Sequence, residues 1–358
     1  MQNQEISISQ PILTLITEID QFKAYWHTVS ANMSLGLIQL KKIATIESIS
    51  SSTRIEGVKL TNNEVEDIFN NIGKMSFKSR DEQEVAGYAE LMNIIFDNWQ
   101  NLPISENYIK HFHKILLQYS EKDQRHMGEY KSVPNHVAAF DEKGKEIGII
   151  FETATPFETK EKMRLLLEWL NSTILNKELH PLVMIAVFIV NFLAIHPFKD
   201  GNGRLSRILT SFLLLKCDYA FIPYSSFEAI IEQNKDAYYR ALRATQITLK
   251  EKEPDYDPWL SFFCLSLLRV VNRLKAKIEE TKMQNFSPKV VQEYIDLPTI
   301  SANILKILDK NQRITIKELQ TALNVSELTI KKHIQNLTRS GKIIKHGTTK
   351  GVWYTKDL

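Results

Sequence analysis

The sequence predicts a mainly α-helical protein that carries one β-hairpin and ends in a separate basic module of three helices and two short strands. Three observations lead there. Apolar residues recur at helical spacing through most of the chain, as at Leu37, Leu40, Ile43, Ile46 and Ile49. Only 12 glycines and 11 prolines punctuate 358 residues, and strand-like alternation is confined to two places. The charge also shifts near the end: Pro298 to Leu358 holds eleven Lys/Arg against four Asp/Glu, a net +7, so the remainder of a chain at +3 carries −4. The expected layout is an N-terminal helical region over 1–105, a helical core over 106–278, a polar linker over 279–297 and the basic module over 298–358.

With 43% apolar and 24% charged residues the composition is that of a soluble globular chain. Cys217 and Cys264 both sit in apolar helical context, which points to buried thiols in a reducing compartment rather than a disulfide framework. The first ten residues, MQNQEISISQ, lack the basic and apolar parts of a signal peptide. Leu182 to Ile195, fourteen uncharged and mostly apolar residues, is too short to span a bilayer and reads as a buried core helix. A cytoplasmic protein without membrane attachment is expected.

Taken in order, the chain opens with helices over 11–28 and 35–52, the second ending in Ser50, Ser51, Ser52 and Thr53, poor helix-interior residues, with Gly57 as a C-terminal stop. Thr61 and Glu64 form a T-x-x-E capping box for a helix with Val65, Ile68 and Phe69 on its buried side. A helix over 107–118 carries His111 and His113, which face different ways and so are poor joint metal ligands; His113 reads as a packing histidine. Val133, Val137 and Ala139 on one side of Asp141 to Gly144, and Ile147, Ile149 and Phe151 on the other, signal the hairpin. Pro258 to Lys277 is a long apolar helix that finishes the core. In the tail, helices are expected over 300–310, 316–323 and 326–339, the last with Ile330, Ile334 and Leu337 inward, followed by short strands at Ile343-Ile344 and Val352 to Tyr354.

Chemistry concentrates in His196 to Arg207, HPFKDGNGRLSR, which joins two apolar runs and so reads as a loop between buried helices. Gly201 and Gly203 remove the Cβ atoms that would hold an anion off the backbone, and a helix starting near Gly203 offers unpaired N–H groups. Arg204 and Arg207 share a helix face, and two cations in a first turn oppose the helix dipole, leaving that end in need of an anionic ligand such as a polyphosphate. Asp200 is a hard oxygen donor suited to a hydrated Mg²⁺ that bridges phosphates. His196 is the group here that titrates near neutrality, hence the candidate general base, and Asn202 can donate its amide to a phosphate oxygen. A lone His-Pro is a helix stop and a lone Gly-Asn-Gly a turn; a mere turn has no use for an acid, two arginines and a histidine together. No Walker or dinucleotide-binding glycine pattern occurs.

This stretch resembles the Fic-family signature HxFx(D/E)GNGRxxR and matches it at every fixed position. The resemblance implies an all-α core that transfers AMP from ATP, as its Mg²⁺ complex, to a hydroxyl side chain (Ser, Thr or Tyr) of a target protein or of the enzyme itself. It assigns His196 as the base, Asp200 as the metal ligand, Gly201, Asn202 and Gly203 as the anion hole for the α- and β-phosphates, Arg204 and Arg207 as holders of the β- and γ-phosphates, and Phe198 as the anchor of the loop in the core. SSTRIEG resembles the family's inhibitory motif [ST]xxxE[GN], with Ser52, Glu56 and Gly57 at its fixed positions; Glu56 would pair with Arg207 and occupy the γ-phosphate position. In related proteins the same glutamate can also help hydrolytic removal of AMP. The hairpin would be the flap whose edge receives the target's backbone as an added strand, although the VPPP-type segment usual after family flaps is replaced here by ETATPFETKEKM. NKDAYYRALRATQ resembles the family's adenine-pocket segment, which makes Tyr239, Leu242 and Gln246 the nucleoside contacts.

The tail resembles a winged helix-turn-helix. Thr329, Lys331, Lys332, Gln335 and Arg339 are its outward candidates for contact with DNA, with protein docking as the alternative use. The reading as a whole is an autoinhibited protein AMP-transferase. Its rivals are a DNA-binding regulator whose Fic domain only senses nucleotide, and transfer of UMP or of a phosphocholine group by the same motif. A homodimer is left open.

Overall fold

The computed structural model describes the chain except residues 1–5, 31–33, 74–75, 141–145, 285–298, 311–312, 324, 340, 348–351 and 357–358. The expected hairpin turn at Asp141 to Gly144, most of the expected linker and the tip of the wing lie outside the described residues. Contacts divide the chain into two compact units, Met1–Glu279 and Glu280–Leu358.

The first unit is helical around α7 (Pro181–Ile195), whose residues from Leu182 to Leu193 are buried except Asn191. This is why the run reads as apolar on every side: a helix surrounded on all faces has no solvent stripe to mark with polar residues. It packs against α6 (Pro156–Asn176) and α8 (Asn202–Lys216). Before them come α1 (Gln10–Ser30), α2 (Ser34–Ile55), α3 (Asn62–Asn71), α4 (Arg80–Asn98) and α5 (Glu106–Leu117). After them come α9 (Phe227–Gln233), α10 (Lys235–Gln246) and α11 (Asp257–Gln284). One core cluster runs from Ile12 to Ile278. The capping box expected for α3 is present, Thr61 accepting from the Glu64 N–H and Glu64 from the Thr61 N–H, and α4 and α6 start on boxes of the same kind. The hairpin is β1 (His136–Phe140) antiparallel to β2 (Glu146–Glu152), with register breaks after Val137 and Ala139.

The expected end of α2 at residue 52 is corrected, since the helix runs on to Ile55 through the serine and threonine run. Burial overrides the intrinsic preference: Ser50, Ser51, Ser52 and Thr53 are each at most 1% exposed, and Thr53 Oγ1 donates back to Ile49 O at 2.8 Å. Small side chains let α2 lie close against α9. The stop is Gly57, at φ 102°, where a residue with a Cβ would be strained. The Val58 N–H reaches Thr53 O at 3.2 Å and the Gly57 N–H reaches Arg54 O at 3.0 Å, the bonding of a Schellman turn. Glu56 is thereby the residue that caps α2.

The second unit has its own core of Ile304, Leu305, Leu308, Ile314, Leu319, Ile330, Ile334, Leu337, Ile343 and Tyr354. It comprises α12 (Thr299–Lys310), α13 (Ile316–Leu323), α14 (Glu327–Arg339) and the antiparallel pair β3 (Ile343–His346) and β4 (Trp353–Lys356). The three inward residues expected of α14 are all buried, and Ser326 caps it by accepting from the Thr329 N–H.

Candidate active site

Helix α7 ends at His196, which adopts φ 52°, ψ 61°. Pro197 follows, and a proline disfavours the right-handed helical conformation in the residue before it; a left-handed backbone at a residue with a Cβ is nonetheless uncommon and concentrates at functional sites. His196 Nδ1 lies 3.4 Å from Leu193 O, and a carbonyl can only accept, so the proton of the neutral ring sits on Nδ1 and Nε2 keeps its lone pair. Burial and then the Lys131 charge push the imidazole down to about 4. The expectation of titration near neutrality is thereby corrected: at neutral pH His196 is already an uncharged base.

The loop beyond it is closed by Asn202, which is 1% exposed. Its Oδ1 accepts from the Phe198 N–H at 2.9 Å and its Nδ2 donates to Phe198 O at 2.7 Å. The amide oxygen and one of the two amide hydrogens are thereby used in holding the loop, a role beside the phosphate contact expected of it. Phe198, fully buried, stacks on His113 with centroids 3.8 Å apart. His113 accepts from the Gly128 N–H through Nδ1 at 2.8 Å, so its Nε2 carries the proton and donates to Asp200 O at 3.0 Å. His113 packs as expected and also ties the signature loop to α5. Nothing in the spacing around His113 points to a partner 87 positions away.

The start of α8 has no side-chain cap, with Gly201 at φ 78° as its first half-helical residue. Into this end comes Glu56. A Cβ on Gly203 would lie 2.3 Å from Glu56 Oε1, so only glycine permits the carboxylate to approach. Arg207 Nη2 donates to Glu56 Oε1 at 2.7 Å and to Ser52 O at 2.9 Å, and its Nε donates to Ser52 Oγ at 2.7 Å. Burial pulls the Glu56 carboxyl upward, and the Arg207 and Arg204 charges outweigh it and hold the group below the usual carboxylate range. Arg207 is 2% exposed while a third of the Glu56 side chain stays open. The pair is therefore half-buried, and Arg207 keeps two Ser52 acceptors if Glu56 leaves.

Arg204 acts on the same carboxylate but has other partners. It lies 3.0 Å from Glu84 Oε2 in α4 and 3.4 Å from Asp200 Oδ1. Nη1 makes the contact with Glu84, and the buried Nε donates no hydrogen bond to any described residue. Asp200, 34% exposed at its side chain, accepts from the Gly201 N–H at 2.6 Å; burial raises its carboxyl, and Arg204 first among the opposing groups brings it below its ordinary value. One unpaired arginine Nε, the first-turn N–H groups of α8 and one partly open, ionised carboxylate fit a polyphosphate and a magnesium ion that takes most of its ligands from phosphate and water. Among the described residues no cluster of three His, Cys, Asp or Glu side chains could hold a metal by itself. Tyr239 stands 40% exposed on α10, whereas Leu242 and Gln246, on the same face, are 6% and 8% exposed; Tyr238 is core, packed on Trp259 and Phe262.

Contacts that had no signal in the sequence hold the turn carrying Glu56 in place. Arg54 grips both carboxylate oxygens of Glu232 in α9 at 2.6 and 2.9 Å, and Lys235 donates to Ile55 O at 2.7 Å. On α14, Lys331, Lys332, Gln335 and Arg339 are exposed, Lys331 paired with Glu327 at 2.7 Å, and the Thr329 hydroxyl lies 2.8 Å from Ser326 Oγ. No helix among the described residues is long and apolar enough to cross a membrane.

Residues 103–214 match the family model of Fic/DOC proteins, and residues 299–344 match that of a winged helix-turn-helix DNA-binding domain. The protein adenylyltransferase Fic of Drosophila willistoni is 28% identical over 229 residues, 63% of this chain and 41% of that relative. The match thus spans about two fifths of the relative's length. Among solved structures, a Fic family protein of Desulfovibrio desulfuricans G20 aligns with a TM-score of 0.63 at 20% identity, covering 99% of this chain and 98% of the other. A Fic-domain signaling protein of Bacteroides thetaiotaomicron aligns at 0.59 with 23% identity, over 74% of this chain and 97% of its own. The fold is a mainly helical Fic fold with a C-terminal winged helix.

Proposed function

We propose that this chain, whose Fic domain lies within residues 103–214, is a protein adenylyltransferase that moves AMP from ATP to a hydroxyl side chain and is restrained by Glu56. The observation that carries the reading is the anion site at the start of α8: Arg207, Arg204, Gly203 and the helix end converge on a carboxylate supplied by the chain's own Glu56. The γ-phosphate of ATP would take that place, with Asn202 and Gly203 offering backbone N–H groups to the α- and β-phosphates, Gly201 joining them once Asp200 releases the Gly201 N–H to bind magnesium, and Tyr239, Leu242 and Gln246 lining the nucleoside. Magnesium bound with the nucleotide would neutralise phosphate charge, with Asp200 as its protein ligand.

His196 Nε2 takes the proton of the target hydroxyl as that oxygen bonds to the α-phosphorus. The bond from the α-phosphorus to the bridging oxygen breaks, and pyrophosphate leaves. The β1–β2 hairpin would hold the target backbone by edge pairing so that its hydroxyl reaches His196. In this scheme residues 1–105 restrain, 106–278 catalyse, 279–297 link and 298–358 dock. The test is mass spectrometry of the purified chain incubated with each magnesium nucleoside triphosphate, alone and with cell lysate. An AMP adduct on the chain or on lysate proteins is expected; UMP alone, or no adduct from wild type and Glu56→Gly alike, overturns the reading.

A second reading, duplex DNA as partner of the tail, is favoured by the winged-helix match and the exposed cations of α14. It adds a docking surface to the enzyme.

A further inference from the structure

We infer that Lys131 is a positioning residue for His196, tying the roots of both hairpin strands to the backbone on either side of the base. The inference rests on the reading of His196 as the proton acceptor in AMP transfer. Lys131 is 4% exposed. Its Nζ donates to Asn135 Oδ1 at 2.7 Å, Thr153 Oγ1 at 2.9 Å and Ile195 O at 3.0 Å, which uses all three donors of an ammonium. Its backbone N–H donates to Pro197 O at 2.9 Å. Asn135 immediately precedes β1 and Thr153 immediately follows β2. Asn135 Nδ2 in turn donates to Phe198 O at 2.9 Å, and Thr153 Oγ1 donates to Asn135 O at 2.7 Å.

The carbonyls of Ile195, Pro197 and Phe198 are therefore all gripped from the root of the hairpin. They bracket the one residue of the signature whose left-handed backbone has to be maintained against the cost of its Cβ. A lysine serves where a neutral donor would not. Burial is the larger influence that keeps His196 uncharged, and the Lys131 charge adds to it by disfavouring a second positive charge there, while Glu56 and Asp200 act the other way. The charged groups facing Lys131 from α6 are Lys162 and Glu158, which oppose each other; burial is the larger influence and brings the ammonium down to about 8. The same ties give the hairpin a mechanical connection to the base: a target strand added to the hairpin edge pulls on Asn135 and Thr153, and these are bonded to the residues that aim His196.

The test uses the full chain in a Glu56→Gly background, with AMP incorporation from Mg·ATP measured as kcat and KM across pH. Lys131→Met is expected to lower kcat about a hundredfold, because misaiming by about 1 Å costs that much, while KM for Mg·ATP stays within about threefold since the anion site is untouched. Its acidic limb moves to higher pH, because loss of a neighbouring cation lets the imidazole protonate more easily. A role confined to packing would not move that limb. Lys131→Gln, which keeps a donor but no charge, shows the same limb shift with a smaller loss of kcat, and decides the matter if the methionine variant melts far below the parent. Thr153→Val, which keeps the charge, lowers kcat without shifting the limb. Glutamine and methionine variants with the parent's kcat and an unshifted limb overturn the inference alone. Absence of transfer by Glu56→Gly itself removes the transfer reading and this inference together.

Discussion

Arg207 in α8 is 2% exposed and gives its donors to Ser52 Oγ, Ser52 O and Glu56 Oε1 within 2.9 Å, whereas Lys332 and Arg339 in α14 stand exposed on a helix whose opposite face is core. The difference is one of solvation. A cation removed from water loses several kcal/mol of hydration unless acceptors replace it, so the first region folds with acceptors already in place, two on Ser52 and one on Glu56. Among the described residues the charged acceptor is the Glu56 carboxylate, a third of whose side chain is open, and under the proposed function it is the gate. A cation on an exposed face keeps its water and needs no partner to fold, and its attraction for an anion is screened by salt. Buried cations therefore select a ligand by geometry, and exposed ones attract any polyanion by charge.

The largest expected effect breaks the chemistry while leaving the buried cations intact. His196→Ala lowers AMP transfer by about 10²- to 10⁴-fold, the range for loss of a general base, yet leaves ATP affinity nearly unchanged because the anion site lies on α8. Transfer by purified His196→Ala at the wild-type rate would remove His196 from the reaction.

Next in size is removal of the internal anion. With Glu56→Gly, ATP can set its γ-phosphate on Arg207 and align the α-phosphate, and a gain of at least about tenfold in auto-modification is expected, since misplacement by about 1 Å costs more than that. Ser52 still accepts two bonds from Arg207, so the arginine stays in place and the variant should fold. Adding Arg207→Ala cancels the gain. Equal activity of wild type and Glu56→Gly would mean that the pair is a structural ion pair and that the gate lies elsewhere.

What could be read from the sequence follows the same divide between local and distant. The signature loop was legible because its residues are contiguous, and α14 because Ile330, Ile334 and Leu337 repeat at the helical period and are buried. The link from Glu56 to Arg207, 151 positions apart, came from family resemblance and not from any periodicity. The ties of His113 to Asp200, Lys131 to Ile195 and Arg54 to Glu232 span 87, 64 and 178 positions and had no signal at all. The serine run of α2 was misread for a related reason: hydroxyl residues end helices in water, but here their hydroxyls are satisfied inside a packed interface. The loop-closing bonds of Asn202 to Phe198 had no signal either, because an amide beside a phosphate site reads only as a ligand.

The smallest effect tests the exposed half of the comparison. If the tail engages duplex DNA through α14, binding weakens as salt rises, because each phosphate neutralised releases condensed counterions and contributes about 0.9 to the slope of log K against log salt. Lys332 and Arg339 are the sharper probes, since Lys331 already has Glu327 at 2.7 Å. Lys332→Ala and Arg339→Ala should each reduce the slope by about 1 if the residue meets a phosphate, with the same loss for every DNA sequence, whereas Gln335→Ala should change the preference among sequences and leave the slope alone. The measurement is a salt titration of duplex binding by the full chain and the three variants. AMP transfer by Glu56→Gly should be indifferent to the same salt range, because Arg207 is shielded by Ser52 and the helix end from the ions that screen α14. Binding that is absent even at low salt would assign the exposed cations to protein docking, and a transfer rate that falls with salt as steeply as DNA binding would erase the distinction between the two regions.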